Sequence, residues 1–261
     1  MPATRPLALI TGASSGIGYE LAREFAQNGY DMIMAADHEG RPKEAAQGIR
    51  SAATGARVET VACDLSVREG VEALWEAARA IGPVEILAAN AGVGLWGDFR
   101  DTDLEAELRL IQLNATSVVH IVKLALREML ERDSGKILIT ASVDSTTPDP
   151  FLVVYAATKA FVLSFAEGIR EDLKDTGITV TALMPGPTDT NFFHRAGMER
   201  ARVMDMEKTD PSEVAREAYA ALMRGDDHTV VGGKNKLQVV MSKMASDPMK
   251  AKMTGKMTGP K

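Results

Sequence analysis

Short apolar runs of strand length recur along the chain, and longer segments with helical periodicity lie between them. The run Ile86-Leu87-Ala88-Ala89 is apolar at every position, which is expected of a strand that helices cover on both faces. Strands that alternate with helices predict parallel pairing through right-handed crossovers. The pattern therefore predicts a single doubly wound α/β domain with a mostly parallel, seven-stranded sheet. The predicted strands are 7–11, 31–36, 58–62, 86–90, 136–142, 179–184 and 229–231.

Capping residues indicate where several helices begin. Ser66 with Glu69 and Thr102 with Glu105 have the spacing of a capping box, and Asp210 precedes a proline that suits the first helical position. The sequence therefore predicts helices that begin directly after Ser66, Thr102 and Asp210.

One predicted helix, over 104–132, is unusually long and carries Asn114 near its middle. Asn is a weak helix former. A polar residue tolerated on the helix surface and a functional interruption of the helix both fit this position.

The charge of the chain is uneven. Its 30 basic and 36 acidic residues give a net charge of −6, so the protein has no electrostatic reason to bind nucleic acid. Residues 234–261 hold seven Lys and one acidic residue together with several Met, and they form a basic, Met-rich C-terminal extension. Such an extension is typical of a solvated helix face or tail. Contact with a phosphate, a membrane surface, an acidic partner or another subunit is the alternative.

The composition favours a soluble, cytoplasmic protein without a metal. Cys63 is the only cysteine, so no intrachain disulfide can form. No apolar run reaches the roughly 18 residues that a membrane span needs. The first residues run directly into a strand pattern, without the core of a signal peptide. No cluster of His, Cys, Asp and Glu has the spacing of metal ligands, so we predict no metal site.

A glycine-rich turn follows the first predicted strand and precedes a helical pattern. A helix N-terminus offers free backbone N–H groups and a partial positive charge, and glycines let the backbone approach a phosphate closely. This order of elements indicates a binding site for the pyrophosphate of a dinucleotide, and a purely structural turn is the alternative. The turn reads Thr11-Gly12-Ala13-Ser14-Ser15-Gly16-Ile17-Gly18.

The G-x-x-x-G-x-G spacing of this turn resembles the cofactor motif of the short-chain dehydrogenase/reductase family. Five further motifs of that family follow in the same order along nearly the whole chain. They are Asp64, Asn90-Ala91-Gly92, Ser142, Tyr155-x-x-x-Lys159 and Pro185-Gly186-x-Thr188-x-Thr190. The resemblance implies a Rossmann-type, dinucleotide-binding oxidoreductase domain over 1–261, of which 234–261 is an extension.

Ser142, Tyr155 and Lys159 are the candidate catalytic group. Free tyrosine titrates near pH 10, so it needs help to transfer protons at neutral pH. Lys159 lies one helical turn after Tyr155, where its charge can stabilise the phenolate, and none of the other three tyrosines has Lys at that spacing. Ser142 lies at the end of a predicted strand, where its hydroxyl can bond the substrate oxygen.

The resemblance assigns a role to each of these residues. It implies that Tyr155 is the acid/base and that Ser142 stabilises substrate and intermediate. It implies that Lys159 lowers the pKa of Tyr155 and binds the nicotinamide ribose. It also implies that Asn114 belongs to the catalytic set, because it interrupts the long helix and frees a carbonyl for a water that links Lys159 to solvent.

The resemblance also implies a set of cofactor-binding residues. Asp64 would receive the adenine amino group with Leu65 packing nearby, and Thr188 and Thr190 would hold the nicotinamide carboxamide. The whole set comprises Gly12, Ser14, Ser15, Gly16, Ile17, Gly18, Asp37, Asp64, Leu65, Asn90, Ala91, Gly92, Tyr155, Lys159, Pro185, Gly186, Thr188 and Thr190.

Asp37, just after the second predicted strand, favours NAD over NADP as the cofactor. An acid at this place accepts hydrogen bonds from the ribose hydroxyls and repels a 2′-phosphate. His38 or Arg41 could meet such a phosphate, so NADP is the alternative.

We therefore predict an enzyme that interconverts a small or medium alcohol with a ketone or aldehyde by hydride transfer. The alternatives are an NADPH-preferring carbonyl reductase, a catalytically inactive nucleotide-sensing protein, and an epimerase or dehydratase. The complete catalytic set disfavours the sensor, and 261 residues leave little room for the larger substrate domain of the epimerases. The resemblance also implies a homo-oligomer, either a dimer or a tetramer.

Overall fold

The computed structural model describes residues 5–37, 40–53, 55–232, 235, 239 and 246–261. Its seven strands are β1 (Leu7–Thr11), β2 (Asp31–Ala36), β3 (Val58–Ala62), β4 (Val84–Ala89), β5 (Gly135–Thr140), β6 (Ile178–Met184) and β7 (His228–Val230). They form one sheet in the order β3-β2-β1-β4-β5-β6-β7, and every neighbouring pair is parallel. The predicted doubly wound, Rossmann-type α/β fold is confirmed.

The first three strands have the predicted bounds, and the other four differ from them by one or two residues. Backbone pairing explains these differences, because it decides where a strand begins and ends. β4 begins at Val84, which pairs with Leu7. β5 ends at Thr140, whose partner is Leu183, although the apolar run continues beyond it. Apolar runs in the sequence do not show where the backbone pairing of a strand begins and ends.

Nine helices connect and cover the strands among the described residues. They are α1 (Gly16–Gln27), α2 (Gly40–Ala52), α3 (Arg68–Ile81), α4 (Leu104–Ile111), α5 (Ser117–Arg132), α6 (Val153–Asp172), α7 (Phe192–Arg195), α8 (Pro211–Arg224) and α9 (Asp247–Thr258), with 3₁₀ turns at Val143–Thr146 and Arg202–Asp205. None of these helices has the length and apolar character needed to cross a membrane.

Each face of the sheet buries its own apolar cluster, as the strands with two apolar faces predict. On one face, Phe25 of α1 and Ile49 of α2 pack with α8 against Ile10 and its neighbours. On the other face, Leu74 of α3 packs with α5 and α6 against Leu9 and its neighbours. The covering helices hold the strand ends in fixed positions, and the site is built on those ends.

The segment between Leu104 and Arg132 is not one regular helix. α4 ends at Ile111, the five residues Gln112–Thr116 form a π-helical turn, and α5 begins at Ser117. Asn114 lies in the middle of this turn and is buried. The structure therefore contains the helix interruption that the family resemblance implies, and π-helical turns are frequent at functional sites.

The predicted capping residue is confirmed for α8 and is wrong for α4. Asp210 caps α8, and its carboxylate accepts a hydrogen bond from the Ser212 backbone N–H at 2.7 Å. For α4, the capping residue is Asp103 and not Thr102, because the Asp103 carboxylate accepts from the Ala106 N–H at 2.9 Å.

The described end of the C-terminal extension packs against the body of the protein. The indole Nε1 of Trp96 donates a hydrogen bond to the Thr258 carbonyl at 2.7 Å, and the Arg202 backbone N–H donates to the Gly259 carbonyl at 3.2 Å. Apart from residues 235 and 239, the remainder of the predicted extension lies outside the described residues. The extension thus contributes α9 as a wall next to the 3₁₀ turn at Arg202–Asp205.

Candidate active site

The candidate site lies at the carboxyl edge of the sheet, where the strand order reverses. β1 lies between β2 and β4, so the connections leave this edge in opposite directions and open a crevice. A cavity of about 670 Å³ occupies this crevice. Its cofactor end is lined by Gly12 and residues 14–18 of the glycine-rich turn, and by Asp37, Asp64, Leu65 and 90–92. Its substrate end is lined by Asp144, Asp149, Leu152, Phe192, Met198, Met257 and Thr258.

The glycine-rich turn has a shape that requires its glycines. Gly12 and Gly16 have φ of +66° and +58°, a backbone conformation that side chains disfavour. A Cβ on Gly16 would lie 2.9 Å from Cγ2 of Thr190, and a Cβ on Gly18 would overlap the Gly12 carbonyl oxygen. The turn is thus a bare backbone cradle at the start of α1, which fits a phosphate-bearing group.

Side chains at the ends of three strands brace this cradle. Thr11 Oγ1 accepts hydrogen bonds from the backbone N–H groups of Asn90 at 2.9 Å and Ala91 at 3.0 Å. Asn90 Nδ2 donates to the Thr11 carbonyl at 3.1 Å, and Thr140 Oγ1 donates to Asn90 Oδ1 at 3.1 Å. The ends of β1, β4 and β5 are therefore tied together where Asn90-Ala91-Gly92 was predicted to bind cofactor.

Asp64 is ionised and tied to its own loop. Its Oδ1 accepts hydrogen bonds from the Ser66 backbone N–H at 2.9 Å and from Ser66 Oγ at 2.6 Å, and Arg109 lies 3.4 Å from Oδ2. The Ser66 hydroxyl, with help from its backbone N–H and from Arg109, lowers the pKa of Asp64 below its usual value. The predicted capping box at Ser66 is therefore wrong, because its hydroxyl bonds Asp64 and α3 begins after Val67.

The structure places all the predicted cofactor-binding residues on the wall of this one cavity. They come from the carboxyl-edge loops that follow β1, β2, β3, β4 and β6, from the first turn of α1, and from α6. Their individual roles stay predictions. Ser142 lies on the same wall, whereas Asn114 does not line the cavity.

Lys159 is buried at the centre of the cavity wall. Its ammonium Nζ donates to the Thr140 carbonyl at 2.8 Å and lies 5.8 Å from the centre of the Tyr155 ring. Burial lowers the pKa of Lys159 to about 8, and the carboxyl of Asp144 opposes this shift. Lys159 therefore still holds its proton for most of the time at neutral pH.

Tyr155 is buried beside Lys159 on α6, with 8% of its surface exposed. Burial raises the pKa of Tyr155 above its usual value, the carboxyls of Asp144 and Asp149 add to the rise, and a hydrogen bond with Ser142 opposes it. Among the protein's own groups, burial thus outweighs the lowering that was expected from Lys159. The phenol is the favoured form of Tyr155, and it can donate a proton.

Ser142 is held by a network of short polar contacts. Its Oγ accepts from the Asp144 backbone N–H and donates to Asp144 Oδ2, each at 3.1 Å. Ser145 Oγ accepts from the Ser142 N–H at 3.1 Å and donates to the Lys159 carbonyl at 2.9 Å. The loop after β5 is therefore fixed against α6, which holds Ser142 in a defined position relative to Tyr155.

Asn114 acts through the backbone of the loop after β4. Its Oδ1 accepts from the Val93 N–H at 2.9 Å, and its Nδ2 donates to the Val93 carbonyl at 2.8 Å and to Thr158 Oγ1 at 3.3 Å. The side chain thus joins the π-helical turn to the cavity wall and to α6. The water link that the resemblance implies stays a prediction.

Three polar residues of the substrate end were not predicted from the sequence. Asp144 follows Ser142 by two residues, and this proximity could have indicated it. Asp149 lies in the loop before α6 and has no sequence signal of its own. Thr258 is 109 residues beyond Asp149, and only folding brings its Oγ1 within 2.8 Å of Asp149 Oδ1.

Most of the remaining wall of the substrate end is apolar. Phe192 packs against Tyr155 with 5.2 Å between the ring centres. Leu110, Leu152, Phe193, Met198, Val203 and Met257 complete this surface. The site therefore combines buried hydroxyl, ammonium and carboxyl groups with an apolar compartment, which suits an organic molecule that carries one reacting oxygen.

Two comparisons of sequence agree with this geometry. A family model described as short chain dehydrogenase matches residues 6–201. An uncharacterized oxidoreductase of Staphylococcus saprophyticus is 31% identical over 219 residues, which cover 84% of this chain and 91% of the relative. The matched family segment contains every candidate catalytic residue, and it ends before α8 and α9.

Solved structures with similar folds are also similar in sequence. A short-chain dehydrogenase from Sphingobium yanoikuyae in complex with NADPH superposes with a TM-score of 0.82 at 30% identity, over 92% of this chain and 93% of that one. The bulky-bulky ketone specific alcohol dehydrogenase from Comamonas testosteroni superposes with a TM-score of 0.77 at 26% identity, over 92% of each chain. The likeness therefore extends over nearly the whole chain.

Proposed function

Because this chain belongs to the short-chain dehydrogenase family, we propose that it interconverts an alcohol with a ketone or aldehyde, using NAD(P) and Tyr155 as acid/base. The observation that carries the proposal is the meeting of Ser142, Tyr155 and Lys159 on one wall of the cavity that also contains the glycine cradle. In that cavity a nicotinamide could exchange a hydride with the substrate carbon while the Tyr155 phenol exchanges a proton with the oxygen on that carbon.

The cofactor end supports dinucleotide binding through its backbone. The cradle from Gly12 to Gly18 would hold the pyrophosphate at the start of α1, and Asp64 and Leu65 would lie along the adenine. Thr188 and Thr190 follow β6 at the same edge and would hold the carboxamide. When bound, NAD(P) supplies or accepts the hydride.

In the direction of reduction, the Tyr155 hydroxyl donates a proton to the substrate oxygen while the Ser142 hydroxyl holds that oxygen by a hydrogen bond. The Lys159 ammonium stabilises the phenolate that remains, because it is charged at neutral pH and lies beside the ring. In oxidation, Tyr155 accepts the proton of the alcohol in the same geometry.

We propose NAD as the preferred cofactor and keep NADP as the alternative. Asp37 follows β2 and lines the cofactor end, where a carboxylate accepts from ribose hydroxyls and repels a 2′-phosphate. NADP has support from the Sphingobium yanoikuyae relative, which binds NADPH. His38 lies outside the described residues.

The apolar substrate end favours a substrate with a hydrophobic body. Phe192, Leu152 and Met257 would contact that body, and Ser142 with Tyr155 would bind its oxygen. The Comamonas testosteroni relative is specific for bulky-bulky ketones, which supports the same class of substrate.

Reduced-nicotinamide absorbance gives the direct test. Purified protein with NADH or NADPH is assayed against aryl and alkyl ketones, together with Tyr155→Phe. We expect turnover with the wild type and a loss of at least roughly 100-fold in the variant. Binding of NADH, measured by its fluorescence, should be retained. Normal turnover in Tyr155→Phe would contradict the mechanism, and cofactor binding without turnover of any ketone would favour a nucleotide-sensing protein.

We also propose that the chain is one domain that assembles as a homo-oligomer. The exposed side chains of Leu104, Leu108 and Ile111 are spaced along one face of α4, and Phe161 of α6 is 48% exposed. Apolar residues at such helix faces are typical of subunit interfaces. Light scattering on a size-exclusion column tests this proposal, and a monomer at micromolar concentration would contradict it.

A further inference from the structure

Two carboxyl groups lie at the substrate end beside the candidate catalytic hydroxyls. Asp144 Oδ2 accepts from Ser142 Oγ at 3.1 Å. Asp149 lies in the loop before α6, and its charge raises the pKa of Tyr155. The proposed proton transfer from Tyr155 uses neither carboxyl group. Buried carboxyls without a task are costly, so their presence here requires a separate explanation.

Asp149 is a largely buried residue whose carboxyl group has one oxygen open to the cavity. It lines the cavity wall although only 3% of its surface is exposed. Its Oδ1 lies 2.8 Å from Thr258 Oγ1, and this is the one hydrogen bond of the carboxyl group among the described residues. Oδ2 makes no such bond and is not one of the fully enclosed polar atoms, so it is open to the cavity. A donor group on a bound molecule can therefore hydrogen-bond to Oδ2.

The buried ionisable groups around this oxygen are mostly acidic. Lys159 is the buried cation of the described cavity wall, and its ammonium is already bound by the Thr140 carbonyl. Arg195 also lines the cavity, but it is exposed to solvent. Burial raises the pKa of both Asp144 and Asp149, so without a second cation these carboxyls tend to hold protons, and an ammonium group can replace such a proton at the substrate end.

The geometry points to a substrate that carries an ammonium group, which Asp149 Oδ2 binds directly and the neighbouring Asp144 attracts. This inference rests on the proposed function, because it places the reacting oxygen at Ser142 and Tyr155. The apolar residues Leu152, Phe192 and Met257 would contact the hydrocarbon part. The substrate class is thus an amino alcohol or amino ketone with an apolar, aryl or alkyl body.

The contacts of Thr258 explain how the site tolerates the carboxyl without a cation. Thr258 Oγ1 lies 2.8 Å from Asp149 Oδ1, 2.8 Å from the Pro150 carbonyl and 3.0 Å from the Thr254 carbonyl, yet it has one proton to donate. A protonated Asp149 can donate to Thr258, which then donates to a carbonyl. Burial raises the pKa of Asp149 to about 7, with the charge of Asp144 adding to the rise. A bound ammonium reverses this balance and displaces the proton.

The test compares two alcohols of nearly equal shape. The first is 2-amino-1-phenylethanol, and the second is 1-phenyl-1-propanol, which has a methyl group where the first has its ammonium. Isothermal calorimetry measures their binding to the full-length protein saturated with NADH, so the readout does not require turnover. Titrations near pH 7 in phosphate and in Tris report protons released on binding. The variants are Asp149→Asn, which keeps an oxygen for Thr258, and Asp175→Asn, which changes an exposed carboxylate outside the cavity.

We expect the amino alcohol to bind at least about tenfold more tightly than its isostere, with release of part of a proton. In Asp149→Asn, the ratio of the two affinities should fall close to one, and proton release should vanish. Asp175→Asn should keep the wild-type ratio. The same ratios are expected in kcat/KM for oxidation by NAD.

Equal affinities for the two alcohols in the wild type would overturn the inference, and this measurement does not depend on the folding of any variant. A tenfold ratio that survives Asp149→Asn would also overturn it. If the amino alcohol binds selectively through Asp149 but neither alcohol is oxidised, the cation site stands and the proposed oxidoreductase function fails.

Discussion

The two ends of the cavity are built in different ways. The cofactor end is made of strand-end loops and a glycine turn, and its contacts join groups that lie next to one another on the sheet edge, such as Thr11 and Asn90. The substrate end is made of side chains from distant parts of the chain, such as Asp149 and Thr258. The spacing of residues within short sequence motifs can therefore predict the cofactor end. The substrate end cannot be predicted in this way, because it depends on how α9 packs against the rest of the protein.

A pair of aspartates shows the same difference in electrostatics. Asp64 at the cofactor end is 49% exposed at its side chain, and hydrogen bonds from Ser66 lower its pKa. Asp149 at the substrate end is buried, and its pKa is raised to about 7. The same residue type thus has a lowered pKa at one end and a raised pKa at the other, because hydrogen bonds dominate at Asp64 and burial dominates at Asp149.

The largest effect is expected from Gly18→Ala. The new Cβ would overlap the Gly12 carbonyl oxygen and approach Asn90 Nδ2 at 2.6 Å, so the cradle must open. We expect NADH affinity to fall by at least roughly 100-fold, measured by fluorescence titration. The matched control is Gly168→Ala in α6, where a Cβ meets nothing within 4 Å. It should leave affinity unchanged and stabilise the fold by up to about 1 kcal/mol. Unchanged NADH affinity in Gly18→Ala would contradict the proposal that the cradle binds the cofactor.

Asn114→Ala should damage both ends, because Asn114 holds the loop that separates them. Its loss leaves the N–H and carbonyl of Val93 without partners, so we expect a destabilisation of about 2–3 kcal/mol. Urea unfolding followed by circular dichroism measures it. The exposed Asn28 serves as the control, and Asn28→Ala should cost roughly 0.5 kcal/mol or less. Equal losses in the two variants would show that Asn114 has no special structural task.

The pH dependence of stability should separate Asp149 from Asp64. The raised pKa of Asp149 means that the folded protein keeps a proton that the unfolded chain loses near pH 4, so this stabilisation disappears as pH rises through about 7. Asp149→Asn should therefore gain about 1–3 kcal/mol relative to wild type between about pH 5 and pH 8.

Asp64→Asn should behave in the opposite way. The pKa of Asp64 is lowered in the fold, so its stabilisation is present at neutral pH and is lost as pH falls through the folded value. The variant should be less stable than wild type near pH 8, with a difference that shrinks in acid. Parallel pH profiles for the two variants, from chemical unfolding at several pH values, would refute the electrostatic contrast.

The smallest effect concerns the choice of cofactor. Asp37→Ser removes a negative charge at the ribose end of the cavity, so the ratio of NADPH to NADH affinity should rise by roughly tenfold. Asp175→Ser, outside the cavity, should leave the ratio unchanged. Preference for NADPH in the wild type would show that Asp37 does not select the cofactor.

Most of the fold and of the cofactor end was predictable from the sequence. The bounds of β1 to β3, the parallel pairing and the positions of the cofactor-binding residues follow from apolar runs and family motifs, because these depend on neighbours close in sequence. Two helix starts were wrong. At Thr102 the neighbouring Asp103 caps the helix instead. At Ser66 the hydroxyl bonds Asp64, and α3 begins after Val67 without a side-chain cap. Each loop contains several acids and hydroxyls, and the sequence does not show which of them will bond the helix start.

The sequence by itself determined the family, the doubly wound sheet and the glycine cradle, since each is encoded in short segments whose geometry is local. Only the tertiary structure decided which carboxyls are buried and what the substrate end contains. Asp149 is an ordinary acidic residue until α9 packs over it and Thr258 approaches. Burial then removes the water that would keep its charge stable. The desolvation of a side chain depends on every segment that packs over it, so it cannot be predicted from the spacing of residues within one segment.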